Sequence, residues 1–470
     1  MNQPIQNFPL FATGRMASGA IVRRAKGLLA TALLLVMVNS FAGIPVETWL
    51  HANGARIYLV NSPGIPMVDV RVDLDAGSRR DPPGKFGLAS VTAGLMTQGV
   101  AASSNGPALN ENALGEAWAD LGASFGASAS SDRMSFSLRS LTYPDLLPKA
   151  VALAARQIAE PSFPQDVWVR NRERMNASIK ESKTKPATLA GRAIAQAVYG
   201  PHPYGNETTE ESLAAISVQD MQALHASSVA PCRAVVSLVG AVNRAQADAL
   251  VDQLFSGVKP LQSMSALKTD CNPWAAVPDI PALQAAKDVR IPFDSAQAHV
   301  LIGQPGFKRD DPDFFALTVG NYILGGGGFV SRLSTEVREK RGLSYSVYSY
   351  FAPALHAGAF TIGLQTRPDQ AAQAVQVSRD VLAKFVAEGP TEAELKAAKD
   401  NLIGGFALRI DTNAKLLDNI SNIGWNNLKI DYLDTWTQEV DKLSLADIRA
   451  AFARKLQPQR MVTVVVGGAP

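Results

Sequence analysis

The chain repeats itself at long range. Leu141-Thr142-Tyr143-Pro144-Asp145, followed by Ala150-Val151, returns 224 residues later as Gln365-Thr366-Arg367-Pro368-Asp369, followed by Ala374-Val375. Farther on, Ser217-x-x-Asp220, Pro231-x-Arg233 and Gly240 return as Ser444-x-x-Asp447, Pro458-x-Arg460 and Gly467, each displaced by 227. Several matches in one order at nearly one spacing indicate duplication of a whole domain. A chain of 470 residues exceeds one ordinary core, so two large domains of like architecture are expected.

Each copy mixes strands and helices. Val68, Val70, Val72 and Leu74 alternate with Asp69, Arg71 and Asp73, the period-two signature of a strand with one buried face. Met134, Phe136 and Leu138 repeat the pattern, as do Phe360, Ile362 and Leu364. Ser217-x-x-Asp220 and Ser444-x-x-Asp447 predict helix N-caps, with the serine hydroxyl accepting a backbone N–H and an acid in the first turn. Each copy closes on a β-rich run, 234–239 and 461–466, ending at glycine. Residues 258–292 are proline-rich without sustained periodicity and read as a linker, which gives domains at 45–257 and 293–470.

Net charge is +3 with 19% charged residues, and no run of five like charges occurs, so nothing points to a nucleic-acid partner. Cys232 and Cys271 form neither C-x-x-C nor a cluster with histidine; one disulfide and two buried thiols both stay open. At the N-terminus, Arg23, Arg24 and Lys26 precede an apolar run, 28–38, and then Ser40-Phe41-Ala42. That is the layout of a cleaved secretory signal over 1–42, with the mature protein starting near Gly43 in a periplasmic or secreted setting. The run is too short for a comfortable membrane span. The alternative is a mitochondrial transit peptide, since no acidic residue precedes Glu47. Met16 would begin a more conventional signal than Met1, so the true start stays open.

Two segments are more specific: Gly87-Leu88-Ala89-Ser90-Val91-Thr92-Ala93-Gly94-Leu95-Met96, and Ser331-Arg332-Leu333-Ser334-Thr335-Glu336-Val337-Arg338-Glu339-Lys340-Arg341-Gly342-Leu343-Ser344-Tyr345. Through them the chain, from about residue 45 onward, resembles the pitrilysin/insulinase/mitochondrial-processing-peptidase family of inverted-zincin metallopeptidases. Members that cut peptides carry H-x-x-E-H, because two histidines at i and i+4 share one helical face and grip one zinc. Here the ligand positions are Ser90 and Gly94, and the general-base position is Ala93. The resemblance thus implies no cofactor in this chain and zinc in a homologous partner. Glu173 and Glu181 lie where the family places its third ligand; without the histidines they read as solvated helix residues. No two of His51, His202, His225, His299 and His356 stand three to five residues apart, so there is no local metal clip.

In active relatives the half without zinc supplies an arginine and, seven residues on, a tyrosine that reach the substrate carbonyl. Those positions are Arg338 and Tyr345 here. Arginine stays charged and offers several donors to an oxygen gaining charge, and tyrosine adds a neutral donor. On the residues alone, the segment is a charged helix end stopped by Gly342, with Tyr345 beginning a strand. Gly325, Gly326, Gly327 and Gly328 lack the Lys-Ser/Thr of a phosphate loop. By resemblance they form a substrate-binding turn where bare backbone approaches a peptide, a helix stop being the plain alternative. Pro201-His202-Pro203-Tyr204-Gly205 reads as a turn with a structural histidine.

The fold the resemblance implies is α+β: two homologous α/β domains, each a mixed, largely antiparallel sheet with helices on one face, forming half of a clamshell chamber. The function it implies is the non-zinc-binding subunit of a heteromeric metallopeptidase for unfolded peptides, with activity only beside a zinc-bearing partner and with no membrane span after signal removal. The reading from another class is a non-catalytic peptide-binding or scaffold protein, which has no need of the Arg338/Tyr345 pair. A self-sufficient peptidase conflicts with three substitutions at once.

Overall fold

The computed structural model describes residues 43–258 and 274–468. The expected signal segment 1–42, Cys271 and residues 259–273 of the expected linker lie outside the described residues. The strands are β1 (Val46–Leu50), β2 (Arg56–Asn61), β3 (Met67–Leu74), β4 (Gly99–Val100), β5 (Leu109–Asn110), β6 (Ser124–Ala129), β7 (Met134–Leu141), β8 (Ala234–Gly240), β9 (Lys287–Ile291), β10 (Ala298–Pro305), β11 (Val347–Phe351), β12 (Ala359–Thr366) and β13 (Val462–Val466). β9 falls inside the segment read as linker, where its single sheet-facing row gives too short a period to see.

Two mixed sheets result, with orders β1-β2-β8-β3-β7-β6 and β11-β12-β10-β13-β9. Setting β1 aside, the orders match strand for strand. In each, one pair is parallel, β2 with β8 and β13 with β9, and the rest are antiparallel. The repeat in sequence is therefore a repeat of architecture. Val68, Val70, Val72 and Leu74 are buried in the first core, as the alternation predicts, and Phe360, Ile362 and Leu364 occupy the second. Both serine caps form, each in a reciprocal capping box with the aspartate three residues on.

The alternation misleads on one point. Asp69 and Asp73 are also buried, because the second face of the sheet is covered too. The cover comes from the other half of the chain. Helix Asn413–Trp425, capped by Thr412, lays Leu416, Leu417, Ile420 and Ile423 against Tyr58, Val60, Val235 and Val239 of the first sheet. Helix Pro186–Tyr199, opened by proline at its first turn and ended at Gly200, lays Ala190, Ile194 and Val198 against Val462, Val464 and Val466 of the second. The two helices start 227 residues apart, so they are the same element of the repeat, exchanged between halves. The expectation of helices on one face only is corrected accordingly.

Polar contacts pin the exchange. Asp73 accepts from Ser421 Oγ at 2.6 Å and pairs with Arg133 at 3.1 Å, and Arg133 itself donates to Ser421 at 2.9 Å. Arg71 pairs with Asp418 at 2.6 Å. At the other seam Tyr199 Oη accepts from Ala359 N at 2.9 Å. The Pro201-His202-Pro203-Tyr204-Gly205 turn belongs to this seam: Tyr204 Oη donates to Asp132, whose other oxygen accepts from Leu355 N at 3.1 Å, and the His202 and His356 rings lie 5.0 Å apart. Burial and the neighbouring His356 hold the His202 pKa below its usual value. Cys232 is disulfide-bonded. Among the described residues no helix is long and apolar enough to cross a membrane.

Candidate functional site

The segment that the resemblance sets in place of the zinc motif is helix Leu88–Met96. Asp81 starts it by accepting from Gly87 N at 2.7 Å and Ala89 N at 2.9 Å, and burial raises this carboxyl's pKa to about 6. Ser90 and Gly94 are exposed on one face, and a Cβ at Gly94 meets nothing within 4 Å. Ala93 is 0% exposed and belongs to the first core. The helix turns Ser90 and Gly94 outward, with no imidazole at either position, and buries the Ala93 methyl in the core. Glu173 and Glu181 are exposed on helix Gln165–Ser182, Glu181 paired with Lys185 at 2.7 Å. Among the described residues no group of three or more His, Cys, Asp or Glu side chains is placed to hold a metal. His51 lies 3.7 Å from Asp248 and 3.6 Å from Asp252, His225 hydrogen-bonds Ile158 O at 2.7 Å, and His299 lines a cavity described below.

Arg338 and Tyr345 are brought together. Residues Ser334–Glu339 wind as a wide π-type turn, a geometry frequent at functional sites. Gly342, at φ +60°, reverses the chain: its N–H donates to Arg338 O at 2.9 Å and Leu343 N–H to Val337 O at 3.0 Å. Leu343 and Ser344 are then buried, and Tyr345 emerges 83% exposed beside the helix it followed. The guanidinium of Arg338 sits between two rings, 4.2 Å from the Phe329 centroid and 5.0 Å from that of Tyr345. Its charged neighbours are spoken for, Lys340 and Arg341 both pairing with Glu336 at 2.7 and 2.6 Å. Arg338 has no ion pair or side-chain hydrogen bond with any described residue, so its donors are free to meet an incoming oxygen.

The segment is a charged turn stopped by Gly342, as read from the residues, but the strand that follows begins at Val347 and not at Tyr345. Sequence reasoning missed two supports. Phe329, 64% exposed just after the glycines, supplies the second ring. Arg332 makes a two-pronged pair with Glu394, 2.7 Å at each oxygen, and donates to Gly389 O, anchoring the start of the Arg338 turn. Arg332 and hydrogen bonds from Thr391 outweigh burial and hold Glu394 at a pKa of about 2. The glycines form a second wide turn: Tyr322–Gly326 is π-type, Gly325 packs where a Cβ would lie 2.4 Å from Ser349 Oγ, and Gly328 adopts φ +64°. Gly326 and Gly328 are exposed and Gly325 and Gly327 are turned inward or half-buried, so only part of the run offers bare backbone.

Both halves of the chain match known proteins. Residues 56–212 match the family profile described as Insulinase (Peptidase family M16), and residues 215–402 match Peptidase M16 inactive domain. The crystal structure of a peptidase M16 inactive domain from Pseudomonas fluorescens superposes with a TM-score of 0.83 at 33% identity, over 91% of this chain and 98% of that one. A Mycobacterium leprae protein called an uncharacterized zinc protease is 30% identical over 286 residues, 60% of this chain but only 62% of its own length. A Helicobacter pylori protein called non-peptidase homolog YmxG is 25% identical over 433 residues, 88% of this chain and 93% of that one. With both halves matched in order and a solved relative covered almost end to end, the chain belongs to the M16, or insulinase, family of peptidases.

Proposed function

We propose that this chain is the zinc-free subunit of a heteromeric M16 metallopeptidase. It pairs with a homologous chain bearing H-x-x-E-H, each subunit forming half of a clamshell chamber that encloses unfolded peptides. The partner's zinc supplies an activated water, and Arg338 and Tyr345 of this chain bind and polarise the scissile carbonyl. The exposed, glycine-rich backbone at Gly326 and Gly328 borders the same space and contributes to peptide binding. One observation carries the reading: Arg338 is held between two aromatic faces with its donors uncommitted. A scaffold has no need of uncommitted guanidinium donors beside an exposed tyrosine hydroxyl. The name of the H. pylori relative is consistent with loss of the zinc motif. The cysteine disulfide supports export through the 1–42 signal into an oxidising compartment.

Ser90, Ala93 and Gly94 offer neither ligand nor base, so the mature chain purified alone should hold far less than one zinc. Elemental analysis is the check. One tightly bound zinc per chain, with chelator-sensitive proteolysis, would overturn the assignment.

A further inference from the structure

The exchanged helix Pro186–Tyr199 covers only part of the second sheet. The ladder registers put Val462, Val464 and Val466 on one face with Gly303, Leu301 and His299, then with Thr361, Gly363 and Gln365, then with Tyr350 and Tyr348. The helix packs on the β13 and β10 side of that face. Toward β12 and β11 the face is left as a trough of about 620 Å³, walled by Ile194 and Val198 on the helix, floored by β10 and β12, and bordered opposite by Tyr348 and Tyr350. Its size lies in the usual range for a ligand site.

Several features show a built recess rather than a packing gap. Gly363 is required: a Cβ there would fall 2.5 Å from the Tyr348 ring, so the glycine lets that ring lie across the sheet. Tyr348 and Tyr350 stack on each other, centroids 6.0 Å apart. Neither hydroxyl of the half-exposed Tyr348 and Tyr350, nor the ring of half-buried His299, makes a hydrogen bond to a described residue, and all three residues line the trough. β11 is the free edge of its sheet, and the trough runs to Tyr345.

From this geometry we infer a side-chain subsite: the trough receives an aromatic side chain of the extended peptide whose backbone is presented to Arg338 and Tyr345. The inference rests on the peptide-binding reading above. Aromatic rings meet Tyr348 and Tyr350 face or edge on, bury apolar area against Ile194 and Val198, and leave a polar tip within reach of the tyrosine hydroxyls and His299. A lysine or aspartate side chain has no opposite charge among the residues lining the trough and loses its hydration there.

The test uses the mature full chain and short, unstructured, labelled peptides that differ at one position, phenylalanine, alanine or lysine, with affinity read by fluorescence anisotropy. The phenylalanine peptide should bind about tenfold tighter than the alanine peptide. Tyr348→Ala should abolish that preference while leaving the alanine peptide's affinity nearly unchanged. Ala187→Trp, at an exposed position on the rim, should abolish it by filling the trough, and cannot act by unfolding the core. Binding without preference, or a preference that survives both variants, would overturn the subsite and leave the peptide-binding reading standing. Binding of none of the peptides, with or without a zinc-bearing partner, would overturn both.

Discussion

Arg338→Ala should lower peptide turnover by the assembled pair about 10²- to 10³-fold, the usual cost of losing one donor to a developing oxyanion. The loss should fall on kcat more than on KM, because the donors matter most when charge has moved onto the carbonyl oxygen. Tyr345→Phe should have a comparable effect through a different atom. It keeps the ring that flanks the guanidinium at 5.0 Å and removes only the hydroxyl. Tyr345 is almost fully exposed, so this change should not move the melting temperature. Arg338→Ala gives up two ring contacts at partly exposed positions, about 0.5–1 kcal/mol each. Co-elution with the partner and thermal melting separate catalysis from folding. Near-normal turnover in both variants would favour the scaffold reading.

The largest stability effect is expected far from that site. Arg133→Met keeps much of the side-chain volume but strands Asp73, which is 0% exposed, with only serine hydroxyls for company. Removing one member of a buried ion pair costs about 3–5 kcal/mol. The change also removes the hydrogen bonds from Arg133 to Ser421 and Asn422 on helix Asn413–Trp425, so both halves should be weakened together. Urea unfolding of the mature chain measures this, and the second replacement Asp73→Asn should recover much of the loss. A cost below about 1 kcal/mol in Arg133→Met would mean that apolar packing alone holds the exchanged helices.

How far the sequence speaks for the fold depends on the range of the interaction. The capping boxes at Ser217 and Ser444, and the alternation along β3, β7 and β12, are decided within a few residues, and they read correctly. The burial of Asp69 and Asp73 does not read, because the covering helix comes from more than 300 residues away. The signal was nonetheless present: extending the 227-residue offset to 186–199 points to the equivalent helix at 413–425. That Arg338 and Tyr345 lie side by side follows from the glycine reversal at Gly342, which is local. Phe329 was not legible, because an exposed aromatic after a glycine run carries no period and gains its role only when the turn folds back. Gly363 was equally silent. Its use emerges only from the ladder that sets it opposite Tyr348.

The central claim is that this chain completes, and does not by itself constitute, a peptidase site. The direct measurement is hydrolysis of an unfolded fluorogenic peptide by the mature chain alone, by a homologous H-x-x-E-H chain from the same source alone, and by the two mixed. The account predicts no cleavage by this chain, and in the mixture a chelator-sensitive rate well above that of the zinc-bearing chain by itself. Cleavage by this chain alone, or a mixture no faster than the partner by itself, would contradict it.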